Sequence, residues 1–127
     1  MRIDHAALYT ADLERSRAFY EKYFDGTAGK QYHNLHTGLK TYFISFADGA
    51  RLELMTRPAL EEPERSHRWA GWTHLAFKAG TRENVDALTE RLRADGYEVT
   101  SGPRVTGDGY YESCVLDPDG NTIEIVA

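Results

Sequence analysis

Four residues of this 127-residue chain stand in a pattern suited to a divalent metal ion: His5, Glu53, His74 and Glu124. Imidazole nitrogens and carboxylate oxygens are ordinary donors for first-row divalent ions, and two of each make an N2O2 set with room for two waters. The spacing from His to Glu is 48 residues in the first case and 50 in the second. The surroundings recur as well. Ile3-Asp4-His5-Ala6-Ala7-Leu8 parallels Trp72-Thr73-His74-Leu75-Ala76-Phe77, and Asp48-Gly49-Ala50-Arg51-Leu52-Glu53-Leu54 parallels Asp119-Gly120-Asn121-Thr122-Ile123-Glu124-Ile125. A lone glutamate on an antiparallel strand is usually solvated, and a lone strand histidine is more often structural than a ligand. Here the same pair occurs twice, at matching places in two similar halves, and the recurrence is what carries the metal reading.

The elements that must position these groups follow from the same repeat. Helix N-cap candidates, Asp12 and Thr81, each lie seven residues after a histidine. Each half therefore reads as a βαβββ module: module one over 1–56, a linker over 57–70, and module two over 71–127, together one α+β domain. In module one the expected strands are 2–9, 29–36, 40–47 and 50–56, with a helix opened by Asp12 and stopped at Gly26. In module two the expected strands are 71–79, 97–104, 110–116 and 121–126, with a helix over 82–95. The Asp48-Gly49 and Asp117-Pro118-Asp119-Gly120 runs are turn signals. Strand alternation puts Leu52, Leu54, Leu75, Phe77, Ile123 and Ile125 on the face that packs against helices. It puts His5, Glu53, His74 and Glu124 on the opposite face.

Composition narrows the class. Hydrophobic residues make up 41% and charged residues 28%, as in an ordinary globular protein. The formal net charge is -5 and no basic block occurs, so a nucleic-acid partner is not expected. The single cysteine, Cys114, cannot make an internal disulfide and reads as a half-buried, inert thiol. No apolar run long enough to span a membrane is present, and the expected location is cytoplasmic. His33, His36 and His67 read as loop or solvated residues, while Tyr9, Tyr42 and Tyr110 are candidates to line a cavity. The 57–70 linker, with Pro58 and Pro63, reads as solvated; the sharper alternative is a flap carrying Arg65, Arg68 or Trp69 to a substrate.

The paired His and Glu, the helix opening Asp12-Leu13-Glu14-Arg15-Ser16-Arg17-Ala18-Phe19-Tyr20, and the terminal Asp117-Pro118-Asp119-Gly120-Asn121-Thr122-Ile123-Glu124-Ile125 together resemble the vicinal oxygen chelate superfamily of glyoxalases, bleomycin-resistance proteins and dioxygenases. The resemblance covers essentially the whole chain. It implies curved mixed sheets forming a cup with the helices outside, and a metal held by His5, Glu53, His74 and Glu124. Ni2+ or Zn2+ is the expected ion, with Fe2+, Mn2+ or Co2+ as alternatives. A full His/Glu/His/Glu set looks most like glyoxalase I, a lactoylglutathione lyase. The implied activity is a lyase or isomerase on a small oxo- or hydroxy-carbonyl compound, through a metal-stabilised enediolate. Glu124 is then the first-choice proton carrier and Glu53 the second. Bacterial glyoxalase I has Arg and Asn where this chain has Tyr9 and Arg57, positions that read glutathione, so glutathione dependence is not implied here. The alternatives are an Fe(II) extradiol dioxygenase, which a fourth protein ligand at Glu53 disfavours, and a non-catalytic drug- or metabolite-binding protein, which needs no metal set. The expected assembly is a homodimer, in which one site is built by one chain or shared by two.

Overall fold

Asp12 and Thr81 open the two helices as their positions predict. In a computed structural model, which describes residues 1–61 and 70–127, the Asp12 carboxylate accepts from the backbone N–H of Arg15 at 3.0 Å. The Thr81 hydroxyl accepts from that of Asn84 at 3.2 Å. Each bond satisfies one of the donors that a helix start leaves without an internal partner. The chain divides into two compact units between Trp69 and Ala70.

The first unit runs β1 (Ala6–Tyr9), α1 (Leu13–Phe24), β2 (Thr27–Ala28), β3 (Tyr32–His33), β4 (Lys40–Ser45) and β5 (Arg51–Thr56). Its mixed sheet has the order β1-β5-β4-β2, with β3 also paired to β4. Strand β1 is parallel to β5, and the remaining pairs are antiparallel. The second unit runs β6 (Leu75–Lys78), α2 (Arg82–Ala94), β7 (Val99–Val105), β8 (Tyr111–Leu116) and β9 (Thr122–Val126). Its sheet has the order β6-β9-β8-β7, again with only the first pair parallel.

Within each unit the helix covers the apolar face of its own sheet. Helix α1 buries Leu13, Ser16, Phe19, Tyr20, Tyr23 and Phe24 against β4 and β5, where Ile44, Leu52 and Leu54 are fully or nearly fully buried. Helix α2 buries Val85, Thr89 and Leu92, one helical stripe, against the side of the sheet that carries Val115, Ile123 and Ile125. Each such aliphatic side chain contributes roughly 1.5–3 kcal/mol of burial. A buried hydroxyl pair ties helix region to sheet in each unit: Thr10 to Ser16, and Thr89 to Ser113, both at 2.6 Å.

Three local features depart from the sequence-based expectation. The first strand of each unit begins at Ala6 and at Leu75 rather than at 2 and 71, so His5 and His74 sit one residue ahead of their strands. The expected strand at 29–36 is instead two short pieces, β2 and β3, on either side of Gly29. Helix α1 is ended by Asp25 in the left-handed conformation (φ 53°) and not by Gly26. Gly26 serves a different need: a Cβ there would stand 2.4 Å from Ile44 Cγ2, so only glycine lets the chain leave the helix this close to the core. The flap alternative, with Arg65, Arg68 and Trp69, and also His67, lies outside the described residues.

Candidate metal centre

The parallel pairing at the start of each unit sets the geometry of its histidine and glutamate. In the first unit Glu53 is in register with Ala7, and His5 precedes Ala7 by two residues, which puts both side chains on one face of the sheet. In the second unit Glu124 is in register with Ala76, and His74 precedes it by two. The register is the same in both. His5 Nε2 lies 3.6 Å from Glu53 Oε2, and His74 Nε2 lies 3.5 Å from Glu124 Oε2. These separations are long for a hydrogen bond. They suit two donors to one ion, since ligands about 2.1 Å from a tetrahedral centre stand about 3.4 Å apart.

Two tight turns fix these registers. The Asp48 side chain accepts from Ala50 N at 2.9 Å, and Gly49 takes a positive φ of 87°. Asp117 is buried, and its carboxylate accepts from the backbone N–H groups of Asp119 and Asn121 at 3.0 and 2.8 Å and from the Asn121 side chain at 2.8 Å. A one-residue slip in either hairpin would turn its glutamate to the helix side.

The other ring nitrogen of each histidine is held as well. His5 Nδ1 lies 2.9 Å from Asp4 Oδ2, and His74 Nδ1 lies 3.1 Å from Thr73 Oγ1. A neighbouring oxygen on Nδ1 orients the ring and leaves Nε2 for a ligand. In the first unit the support extends further. Arg51 pairs with the Asp4 carboxylate and stands over the Phe43 ring at 4.7 Å, and Phe43 meets the His5 ring edge-on, 5.2 Å between centroids.

In the second unit the same strand positions carry different chemistry. Cys114 is in register with Glu124, as Phe43 is with Glu53, and Glu112 lies two residues before Cys114 on the same face. Glu112, Cys114 and Glu124 each offer a donor atom within 4.8 Å of the others. Burial, then the charge of Glu124, pushes the Glu112 carboxyl above the usual carboxylate range. Burial also pushes the Cys114 thiol up, ahead of the charges of Glu112 and Glu124, which fits an unreactive thiol. Glu112 was not picked out from sequence, because a glutamate between tyrosine and serine looks like surface decoration. The signal was the shared odd-even register of 112, 114 and 124 across the last hairpin.

The remaining candidates separate clearly. Tyr9 is half exposed, on the His5 face of β1. Tyr42 is on the helix side, donating to Glu14 Oε1 at 2.8 Å and accepting from Gln31 at 3.1 Å, so it lines no site with Glu53. Tyr110 is exposed in the turn before β8. His33 and His36 are exposed, the first at the end of β3 and the second in a turn.

Comparison with known proteins gives the family and the fold. The family model described as Glyoxalase/Bleomycin resistance protein/Dioxygenase superfamily matches residues 2–125. The chain is 33% identical over 126 residues to the uncharacterized protein YqjT of Bacillus subtilis, covering 97% of this chain and 96% of that one. It is 29% identical over 131 residues to a lactoylglutathione lyase of Haemophilus influenzae, covering 99% and 92%. Among solved structures, a possible glyoxalase from Bacillus cereus matches with a TM-score of 0.74 at 29% identity, covering 100% of this chain and 99% of that one. A glyoxylase/bleomycin resistance protein/dioxygenase domain from Frankia sp. EAN1pec shares the fold, with a TM-score of 0.83 at 18% identity and 99% and 96% coverage.

Proposed function

The chain belongs to the Glyoxalase/Bleomycin resistance protein/Dioxygenase superfamily, and on that premise we propose that it is a divalent-metal-dependent, glyoxalase-like lyase or isomerase of a small oxo- or hydroxy-carbonyl compound. The observation that carries the reading is the repeated half-site. In each unit a histidine has its Nδ1 engaged by the preceding residue and its Nε2 3.5–3.6 Å from a glutamate on the neighbouring parallel strand. His5, Glu53, His74 and Glu124 are the residues that would hold the ion, Ni2+ or Zn2+ by donor type. Each unit supplies only two of the four donors, so a complete set needs a second unit, from the same chain or from a second copy. A homodimer is one of these two ways to complete the set.

When bound, the ion would supply Lewis acidity to adjacent substrate oxygens, easing the negative charge that develops as an α-proton leaves. The chain's own groups do the rest. Glu124 takes the proton and returns it to the neighbouring carbon, and Glu53, its counterpart in the repeat, is the second-choice base. Asp4 and Thr73 orient the two imidazoles, each within its own unit. Tyr9, at a place where a glutathione carboxylate would call for a cation, supports a substrate without that carboxylate.

The test uses methylglyoxal offered alone, with glutathione and with a second thiol, to protein stripped of metal and to protein reloaded with Ni2+ or Zn2+. Turnover is expected only in the reloaded protein. Glu124→Gln is expected to keep the wild-type circular dichroism spectrum and lose turnover by several orders of magnitude. Wild-type turnover by Glu124→Gln would sink the assignment of the base.

A further inference from the structure

Beside His5 the first unit carries a feature that the repeat does not reproduce. A cleft of about 200 Å³ is lined by Arg2, Ile3, Asp4, Gly49 and Arg51. Arg51 precedes Glu53 by two residues on β5, so both side chains leave the same face of the sheet. Its guanidinium is held twice: Nη2 donates to Asp4 Oδ2, and Cζ stands over the Phe43 ring at 4.7 Å. The same Asp4 oxygen lies 2.9 Å from His5 Nδ1, which brings the guanidinium within two hydrogen bonds of the imidazole. Two arginines meet one carboxylate in the cleft, and one positive charge is left over. The fold does not require that charge. Where the first unit has Arg2, Asp4 and Arg51, the second has Gly71, Thr73 and Thr122 at the matching places, yet its histidine and glutamate keep the same register.

We propose that Arg51, assisted by Arg2, binds a carboxylate of the substrate, so that the oxo- or hydroxy-carbonyl compound acted on is an acid. The inference rests on the metal reading above and names the substrate class of that site. A guanidinium offers its donors in a planar fork that a carboxylate meets with two parallel hydrogen bonds. Asp4 and Phe43 fix the fork in advance, so little side-chain freedom is lost on binding. The single surplus charge matches a carboxylate better than a phosphate, which carries about -1.5 to -2 near neutrality. Two strand residues, the separation of Arg51 from Glu53, span about 7 Å. A substrate whose vicinal oxygens lie at His5 and Glu53 reaches the cleft with a chain of a few carbons. A neutral dicarbonyl leaves the cleft empty and is the weaker substrate.

The test is calorimetric titration of the full chain, saturated with Zn2+, with malate and 2-hydroxyglutarate, and with 2-hydroxybutyrate, which keeps the vicinal oxygens but lacks the second acid. The wild type is expected to bind a diacid at least tenfold more tightly than 2-hydroxybutyrate. Arg51→Met is expected to lose that preference while its affinity for 2-hydroxybutyrate changes less than threefold, with circular dichroism checking the fold. No preference in the wild type would overturn the proposal. So would equal weakening of all three ligands in Arg51→Met, which would mean that Arg51 acts only through Asp4 on His5. A second arm needs no metal. In metal-stripped protein the Arg51 Nε–H signal, identified by its loss in Arg51→Met, is expected to shift in 15N NMR on titration with acetate and not with acetamide. A shift in a protein that takes up no Zn2+ would keep the acid cleft and remove the metal reading. No shift in a protein that binds Zn2+ would overturn the cleft and leave the metal reading standing.

Discussion

At the scale of single residues, the two histidines differ mainly in what holds them. Asp4, a carboxylate backed by Arg51, stands beside His5, and the neutral Thr73 stands beside His74. Losing such a group typically costs 10–100-fold in metal affinity. Asp4→Ala is therefore expected to weaken Zn2+ binding by about that factor in a chelator competition, with unchanged binding counting against an orienting role. A second residue-scale outcome concerns acid stability. The Tyr42 hydroxyl, and then Arg17, hold the Glu14 carboxyl below its ordinary value of 4.5. A lowered carboxyl stabilises the fold above the unfolded-state value and loses that contribution as pH falls through the folded-state value. The gap in urea midpoint between wild type and Tyr42→Phe should thus be present near neutrality and shrink well below pH 4.5; a gap that grows on acidification would contradict the sign. The four candidate ligands were legible because recurrence and strand parity both act on residue type. Asp4, Thr73 and Glu112 were not, since orienting a ring or flanking a carboxylate leaves no pattern until strand register is known.

At the scale of elements, turns and caps do the positioning. Asp117 is buried with three accepted hydrogen bonds, so Asp117→Ala strands backbone donors and is expected to cost about 1–3 kcal/mol or more. Because that turn sets the register of Glu124, the same variant should also lose metal affinity; unfolding and metal titration read the two effects separately. Gly26→Ala forces a methyl to within 2.4 Å of Ile44 Cγ2, and overpacking of this kind costs about 1–3 kcal/mol. A neutral effect on the denaturation midpoint would mean that the core yields at this point. The caps at Asp12 and Thr81 and both Asp-Gly turns were readable because each is a local bond between near neighbours. The late start of β1 and β6 was not, since it depends on where the parallel partner begins to pair. The break between β2 and β3 has the same origin: both are edge pieces whose extent is set by β4 rather than by their own sequence.

At the scale of the molecule, the chain is a tandem repeat in the glyoxalase fold, with one histidine–glutamate pair in each unit. Matching registers bring a histidine and a glutamate together in each unit, while Phe43 in one and Cys114 in the other occupy the equivalent place on the neighbouring strand. Among the described residues no helix is long and apolar enough to cross a membrane. The central claim is that His5, Glu53, His74 and Glu124 serve one divalent ion per chain. Equilibrium dialysis of metal-stripped protein against Zn2+, with the bound metal counted by elemental analysis, tests it most directly. The expected result is one ion per chain in the wild type, with affinity lowered at least tenfold by either Glu53→Gln or Glu124→Gln. A wild type that takes up no stoichiometric Zn2+, or a Glu53→Gln variant that binds it as tightly as the wild type does, would contradict the claim.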